Sequence, residues 1–108
     1  MTLINLTPHE IVLLVQGTRT SWPPEGGILP RVATTTTLVE GFGLPCVHTV
    51  MGEVESLPEP IPGTVFIVST MVAQAATHRA DLVSPDTGPT AIRENGQVKG
   101  VSRFQSFA

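Results

Sequence analysis

Ten prolines and ten glycines punctuate this chain of 108 residues, about 19% of it, and that punctuation limits the fold more than any other feature. Proline removes a backbone donor and fixes φ, while glycine favours tight turns, so frequent use of both leaves room for short strands and little room for long helices. The share stays below the roughly 25–30% of low-complexity polymers. A chain of this length fits one domain, residues 1–108, and can bury roughly 65% of its unfolded surface without a disulfide or metal.

Several classes fall away on composition. Cys46 is the only cysteine, so no internal disulfide forms, and its spacing from His9, His48 and His78 matches no zinc-site pattern. Neither a metal nor another cofactor is expected. The longest apolar runs, Ile11 to Val15 and Val65 to Val68, fall far short of the roughly 20 residues of a membrane span. No basic segment followed by an apolar one opens the chain, so a soluble cytoplasmic protein is expected. Six basic residues against nine acidic ones argue against duplex-DNA binding, whose affinity comes from neutralised phosphates. The charges are uneven: residues 63–108 carry Arg79, Arg93, Lys99 and Arg103 against three acids, so an anionic ligand would find its partners there.

Thr2 to Leu6 reads as a strand that breaks at Thr7-Pro8, and Glu10 to Gln16 as a second strand ended by Gly17. Residues 18–30 read as a loop, with Trp22 as a lid or edge anchor. The β-branched run Arg31 to Glu40 predicts a strand with Val32, Thr34, Thr36 and Leu38 on one face. Pro45 to Glu55 is its partner, with Gly52 marking a bulge. Leu57 to Gly63 is a stiff proline-rich connector. Thr64 to Val68 predicts a buried strand, followed by a helix over Met71 to Arg79 with Ser69 or Thr70 as N-cap and Met71, Val72, Ala75 and Ala76 as its apolar stripe. Asp81 to Pro85 leaves the helix, Asp86 to Pro89 turns, and Thr90 to Glu94 pairs with Gln97 to Phe104 across Asn95-Gly96. The expected fold is α+β: a mostly antiparallel bent sheet or partial barrel with one short helix. So little helix leaves a sheet face uncovered, and a homo-oligomer is expected.

Three polar groups are the candidate ligand-binding sites. At the strand-to-helix junction, Ser69 and Thr70 either bind an anion at the free amides of the first turn or serve as ordinary caps. At the helix exit, Arg79 either clamps a phosphate or carboxylate, with Asp81 orienting it, or forms a structural ion pair. In the turn Asn5-Leu6-Thr7-Pro8-His9, Asn5 and Thr7 suit side-chain to backbone turns, while the His9 imidazole can donate or accept a hydrogen bond to a ligand. No nucleotide-phosphate loop of the Gly-x-x-x-x-Gly-Lys type is present.

The order of these motifs, from Asn5-Leu6-Thr7-Pro8-His9 through Arg31-Val32-Ala33-Thr34, Gly52-Glu53-Val54, Leu57-Pro58-Glu59-Pro60, Pro62-Gly63-Thr64 and Ile67-Val68-Ser69 to Arg79 and Asp81-Leu82, resembles a family of small proteins of tailed bacteriophages and of actinobacterial and other bacterial genomes. Thr18 to Ile28 has no counterpart in that pattern. The resemblance carries no assigned activity, but the recurring polar positions coincide with the three candidate groups. By analogy with phage proteins that capture nucleotide immune signals, the expectation is an accessory anti-defence protein that sequesters a small anionic, nucleotide-derived ligand. Two alternatives stand beside it. One is a small hydrolase or lyase using His9 as acid or base and Arg79 to stabilise negative charge. The other is a protein-binding inhibitor or minor structural phage protein anchored by Trp22, Phe104 and Phe107.

Overall fold

A computed structural model describes all of residues 1–108. Its strands are β1 (Thr2–Asn5), β2 (Ile11–Val15), β3 (Thr18–Trp22), β4 (Arg31–Leu38), β5 (Val47–Glu55), β6 (Thr64–Ile67), β7 (Leu82–Pro85), β8 (Ile92–Glu94), β9 (Gln97–Gly100) and β10 (Phe104–Gln105). One helix, α1 (Thr70–Ala75), lies between β6 and β7. The fold is small and strand-rich with a single short helix, and no sheet closes into a barrel.

The central sheet runs β1-β6-β7-β10. The three strands β1, β6 and β7 are parallel, and only β10 is antiparallel to its neighbour. The expectation of mostly antiparallel pairing holds for the chain as a whole and fails in this one sheet. Antiparallel pairing is confined to the β7–β10 edge and to the three hairpins β2–β3, β4–β5 and β8–β9. Between β6 and β7 the cause is the crossover through α1, which returns the chain in the same direction, as a strand-helix-strand unit requires. Asp81 to Pro85 therefore does not merely leave the helix. Its Leu82 and Val83 pair with Phe66 and Ile67, giving the sheet its third strand.

The core forms where α1 lies on this sheet. Leu6, Phe66, Val68, Val72, Ala73, Ala76 and Leu82 are buried together, with Ile4, Val32, Val54, Leu57 and Phe107 packed around them. The helix is shorter than the sequence suggests and turned on its axis. It presents Val72, Ala73 and Ala76 to the core, while Met71 is 54% exposed. Ser69 is its N-cap, accepting a hydrogen bond from the Val72 amide at 3.3 Å, and Ala76 leaves helical geometry at φ −118° and ψ 51°.

The hairpins follow their turn chemistry. Asn95 and Gly96 both take positive φ, as a two-residue turn demands, but the pairing ends at Gly100 and Phe104 joins β7 instead. Gln16 and Gly17 do the same at φ 49° and 80°, so Thr18–Trp22 is the return strand of a hairpin and not a loop. In the β4–β5 hairpin, the register shifts between Val32 opposite Val54 and Thr34 opposite Met51, leaving one extra residue at Gly52-Glu53. A Cβ on Gly52 would lie 3.2 Å from the Ala33 carbonyl oxygen, which accounts for glycine at this bulge.

Only 14 of 108 residues are buried, and the molecule measures 53 × 38 × 25 Å. Its radius of gyration, 16.4 Å, exceeds the value of about 13 Å expected for a compact domain of this length. Much of that surface belongs to the β4–β5 arm, which packs on the core at Val32 and Val54 and is exposed from Thr34 to Leu38 and from Val47 to Glu53. No helix is long and apolar enough to cross a membrane.

Candidate functional site

The polar turn after β1 is held by one side chain. Asn5 is 2% exposed and donates from Nδ2 to the carbonyls of His9 at 2.8 Å and Trp22 at 2.9 Å. Its Oδ1 accepts from the Thr7 amide at 2.9 Å and the Thr7 hydroxyl at 2.7 Å. Both amide hydrogens and both lone pairs are thus used within the protein. The Asn5 carbonyl also accepts from the Glu25 amide at 2.9 Å, so this residue fastens the β1 exit to the β2–β3 hairpin and to the loop beyond it. Thr7 closes the turn, its hydroxyl lying 3.0 Å from the His9 carbonyl. The His9 backbone belongs to the knot while its side chain is exposed.

The strand-to-helix junction is near this turn, because Asn5 pairs with Ile67 and the Leu6 amide donates to the Ile67 carbonyl. Here Ser69 caps α1, and Thr70 Oγ1 lies 3.5 Å from the hydroxyl of buried Ser84 and 3.4 Å from Gln105 Nε2. Ser84 and Gln105 escape sequence reading, since β7 and β10 reach the junction only through sheet order.

Arg79 and Asp81 lie elsewhere. The Asp81 carbonyl accepts from the Phe66 amide, placing the pair at the start of β7. Ser69 lies three residues further along the chain, about 10 Å at strand rise. The sequence candidates therefore divide between opposite ends of the parallel strands and do not converge on one pocket. Arg79 donates from Nε to Asp81 Oδ1 and from Nη2 to Oδ2, both at 2.8 Å, and from Nη2 to the Pro58 carbonyl at 2.9 Å. Their side chains are only 14% and 19% exposed. The two-point hydrogen bonding raises the Arg79 pKa above its ordinary value and lowers that of Asp81, outweighing the opposing effect of desolvation. The pair pins the proline-rich connector against the chain leaving α1.

A cleft of about 360 Å³ opens beside this clasp, lined by Glu53, Val54, Leu57, Ala75, Ala76, His78 and Arg79. Its floor is apolar and its rim carries both signs of charge. Glu53 on the rim, Asp81 bound to Arg79 and nearby Glu59 offset the guanidinium, so the cleft holds no excess of positive charge. The same holds for much of the C-terminal basic set: Arg103 pairs with Asp86 at 2.7 Å and Arg93 donates to the Thr87 carbonyl. Arg103 and the Gly88 amide hold the Asp86 carboxyl below its usual range.

The other anchors named from sequence are partly buried. Trp22 and Phe104 meet edge to face with centroids 5.7 Å apart, and Phe107 packs against the core. Six exposed apolar residues are on the arm, Leu38, Phe42, Leu44, Val47, Val50 and Met51, while others, among them Ile28, Ile61 and Met71, lie outside it. The chain matches no protein-family model, no curated protein and no solved structure.

Proposed function

We propose that this protein is a non-catalytic accessory protein of the tailed-phage kind, and that it works by forming protein interfaces, first of all with copies of itself. The observation that carries the reading is the β4–β5 arm: Leu38 is 68% exposed, and Phe42, Leu44, Val47, Val50 and Met51 are exposed with it. A two-stranded ribbon is at best marginally stable alone in water, and exposed apolar side chains gathered on one arm are what an interface covers. The polar groups of the Asn5 turn and of the Arg79 clasp are taken up by internal bonds, which supports a structural role for them. Sedimentation equilibrium of the full chain tests the reading. Concentration-dependent association that is lost when Leu38 and Val47 are both replaced by serine supports it; a monomer at every soluble concentration overturns it.

The cleft beside α1 favours a second reading, capture of a small nucleotide-like ligand. Its volume lies within the range of small-molecule pockets, its floor suits a flat ring, and His78 and Glu53 offer hydrogen bonds to the polar ends of such a ligand. Titration calorimetry against nucleoside monophosphates, cyclic dinucleotides and ADP-ribose tests it. Heat that disappears in His78→Ala supports capture, and the absence of heat with the whole panel removes it.

A further inference from the structure

The arm exposes a strand edge as well as an apolar face. Every hydrogen bond that β4 makes to another element goes to β5, so its outer edge is unpaired. Natural edges are usually blunted by charge, proline or a bulge. The outer edge of β5 has such protection, with Glu53, Glu55 and the bulge at Gly52. That of β4 has none between Val32 and Leu38, where the sequence is Val-Ala-Thr-Thr-Thr-Thr-Leu. On a chain of net charge −3, this is a long stretch that a second copy can approach without meeting like charge.

The faces of the ribbon follow from its register. Directly opposed residues share a face, so Thr34 with Met51, Thr36 with Thr49 and Leu38 with Val47 lie on one side. Val32 and Val54, which pack on the core, lie on that same side. The bulge makes this possible: it inserts one residue into β5 and so keeps Val54 and Met51, three apart, on one face. The core face therefore continues outward along the arm.

Resting on the assembly reading above, we propose that two copies of this chain pair β4 to β4, antiparallel about a two-fold axis through Thr35, to form one four-stranded sheet. A two-fold normal to a sheet places a residue opposite its own copy and keeps each face of one ribbon continuous with the same face of the other. With Thr35 at the centre, Thr34 stands opposite Thr36 of the second copy, and Val32 opposite Leu38 of the second copy. Each end of the shared face then carries an unbroken apolar row: Val54 and Val32 of one copy, then Leu38 and Val47 of the other. Leu38, exposed in the single chain, adjoins the core of the second copy. Arg31, ion-paired through Nε with Glu55 of its own ribbon at 3.1 Å, comes opposite Val39 and next to Glu40 of the second copy, where its other guanidinium donors can serve that carboxylate at both ends. Moving the centre to Thr36 would put Glu40 opposite Val32, and moving it to Thr34 would put Pro30 opposite Leu38.

Single cysteines in a Cys46→Ser background test this register. In Thr35→Cys, the two cysteines face each other at about 4.5–5.5 Å between Cα atoms, within disulfide range. In Thr37→Cys, they are four residues out of register, about 13 Å apart along the strand. Mild oxidation of Thr35→Cys is expected to give a covalent dimer, and Thr37→Cys none. Thr35→Lys, which opposes two like charges at a solvent-exposed position, is expected to weaken association at least tenfold while leaving the far-UV spectrum unchanged. Wild type that associates while Thr35→Cys fails to cross-link, or cross-links no better than Thr37→Cys, overturns the β4 pairing and leaves the assembly reading in place. A wild-type chain that stays monomeric overturns both.

Discussion

Replacing Asn5 by alanine tests whether the turn after β1 is a structural knot, and its cost follows from the bonds that the side chain makes. Asn5→Ala removes two donors and an acceptor that serve the His9 and Trp22 carbonyls, the Thr7 amide and the Thr7 hydroxyl. The Thr7 hydroxyl, freed from Oδ1, remains 3.0 Å from the His9 carbonyl and satisfies it. Two backbone groups lose their side-chain partner, the Thr7 amide and the Trp22 carbonyl, at about 1–3 kcal/mol each where water does not reach them. The expected loss is therefore about 2–6 kcal/mol, a large part of the roughly 5–15 kcal/mol of a small domain. Urea unfolding followed by the fluorescence of Trp22, the single tryptophan, reads it directly. With a slope of about 2 kcal/mol per molar, the midpoint falls by about 1–3 M. Asn5→Asp sharpens the test, because a carboxylate at this position turns an oxygen toward two carbonyl oxygens. Its folded pKa rises above the unfolded value, so the penalty is present at neutral pH and released as pH falls and the protonated acid donates again. Asn5→Ala within about 0.5 kcal/mol of the parent, or Asn5→Asp as stable as asparagine at neutral pH, would refute the reasoning.

Gly52→Ala brings a Cβ to 3.2 Å from the Ala33 carbonyl oxygen and is expected to cost about 1–2 kcal/mol in the same urea assay. Ser69→Ala removes the acceptor for the Val72 amide and costs about 1 kcal/mol. The hydrogen bonds from Arg79 hold the Asp81 carboxyl below its ordinary value. Its stabilisation is therefore complete above the unfolded-state pKa of about 3.9 and is lost as pH falls through the lower folded value. Asp81→Asn is expected to have a lower urea midpoint at pH 7 and a smaller further fall below about pH 4; parallel curves for the two proteins would remove that assignment.

The sequence shows local structure well where the cue is local. Asn95-Gly96 marks a hairpin turn, Gly52 a bulge and Ser69 a cap, because each depends on φ or on a hydroxyl within three residues. What depends on distant partners is hidden. Leu82 to Pro85 is four residues ending in proline, too short to signal a strand, and it becomes one because α1 returns it beside β6. Thr18 to Trp22 looks like a loop by composition until Gln16 and Gly17 turn it back onto β2. Of the candidate residues, Asn5 and Thr7 showed their turn chemistry in their spacing, but nothing local linked Asn5 to the Trp22 carbonyl or Arg79 to that of Pro58. The arm was visible as two strands with apolar positions. Its exposure was not, because exposure depends on where the core ends.

Hydrogen exchange along β4, measured at rising protein concentration, tests the assembly surface most directly. In the single chain, the amides of Thr34 to Thr37 that point away from β5 have no partner and exchange freely. If copies pair through this edge, those amides gain protection as concentration rises, while the outer edge of β5 stays unprotected. Exchange at Thr34 to Thr37 that is independent of concentration, or protection that appears on β5 instead, would contradict it.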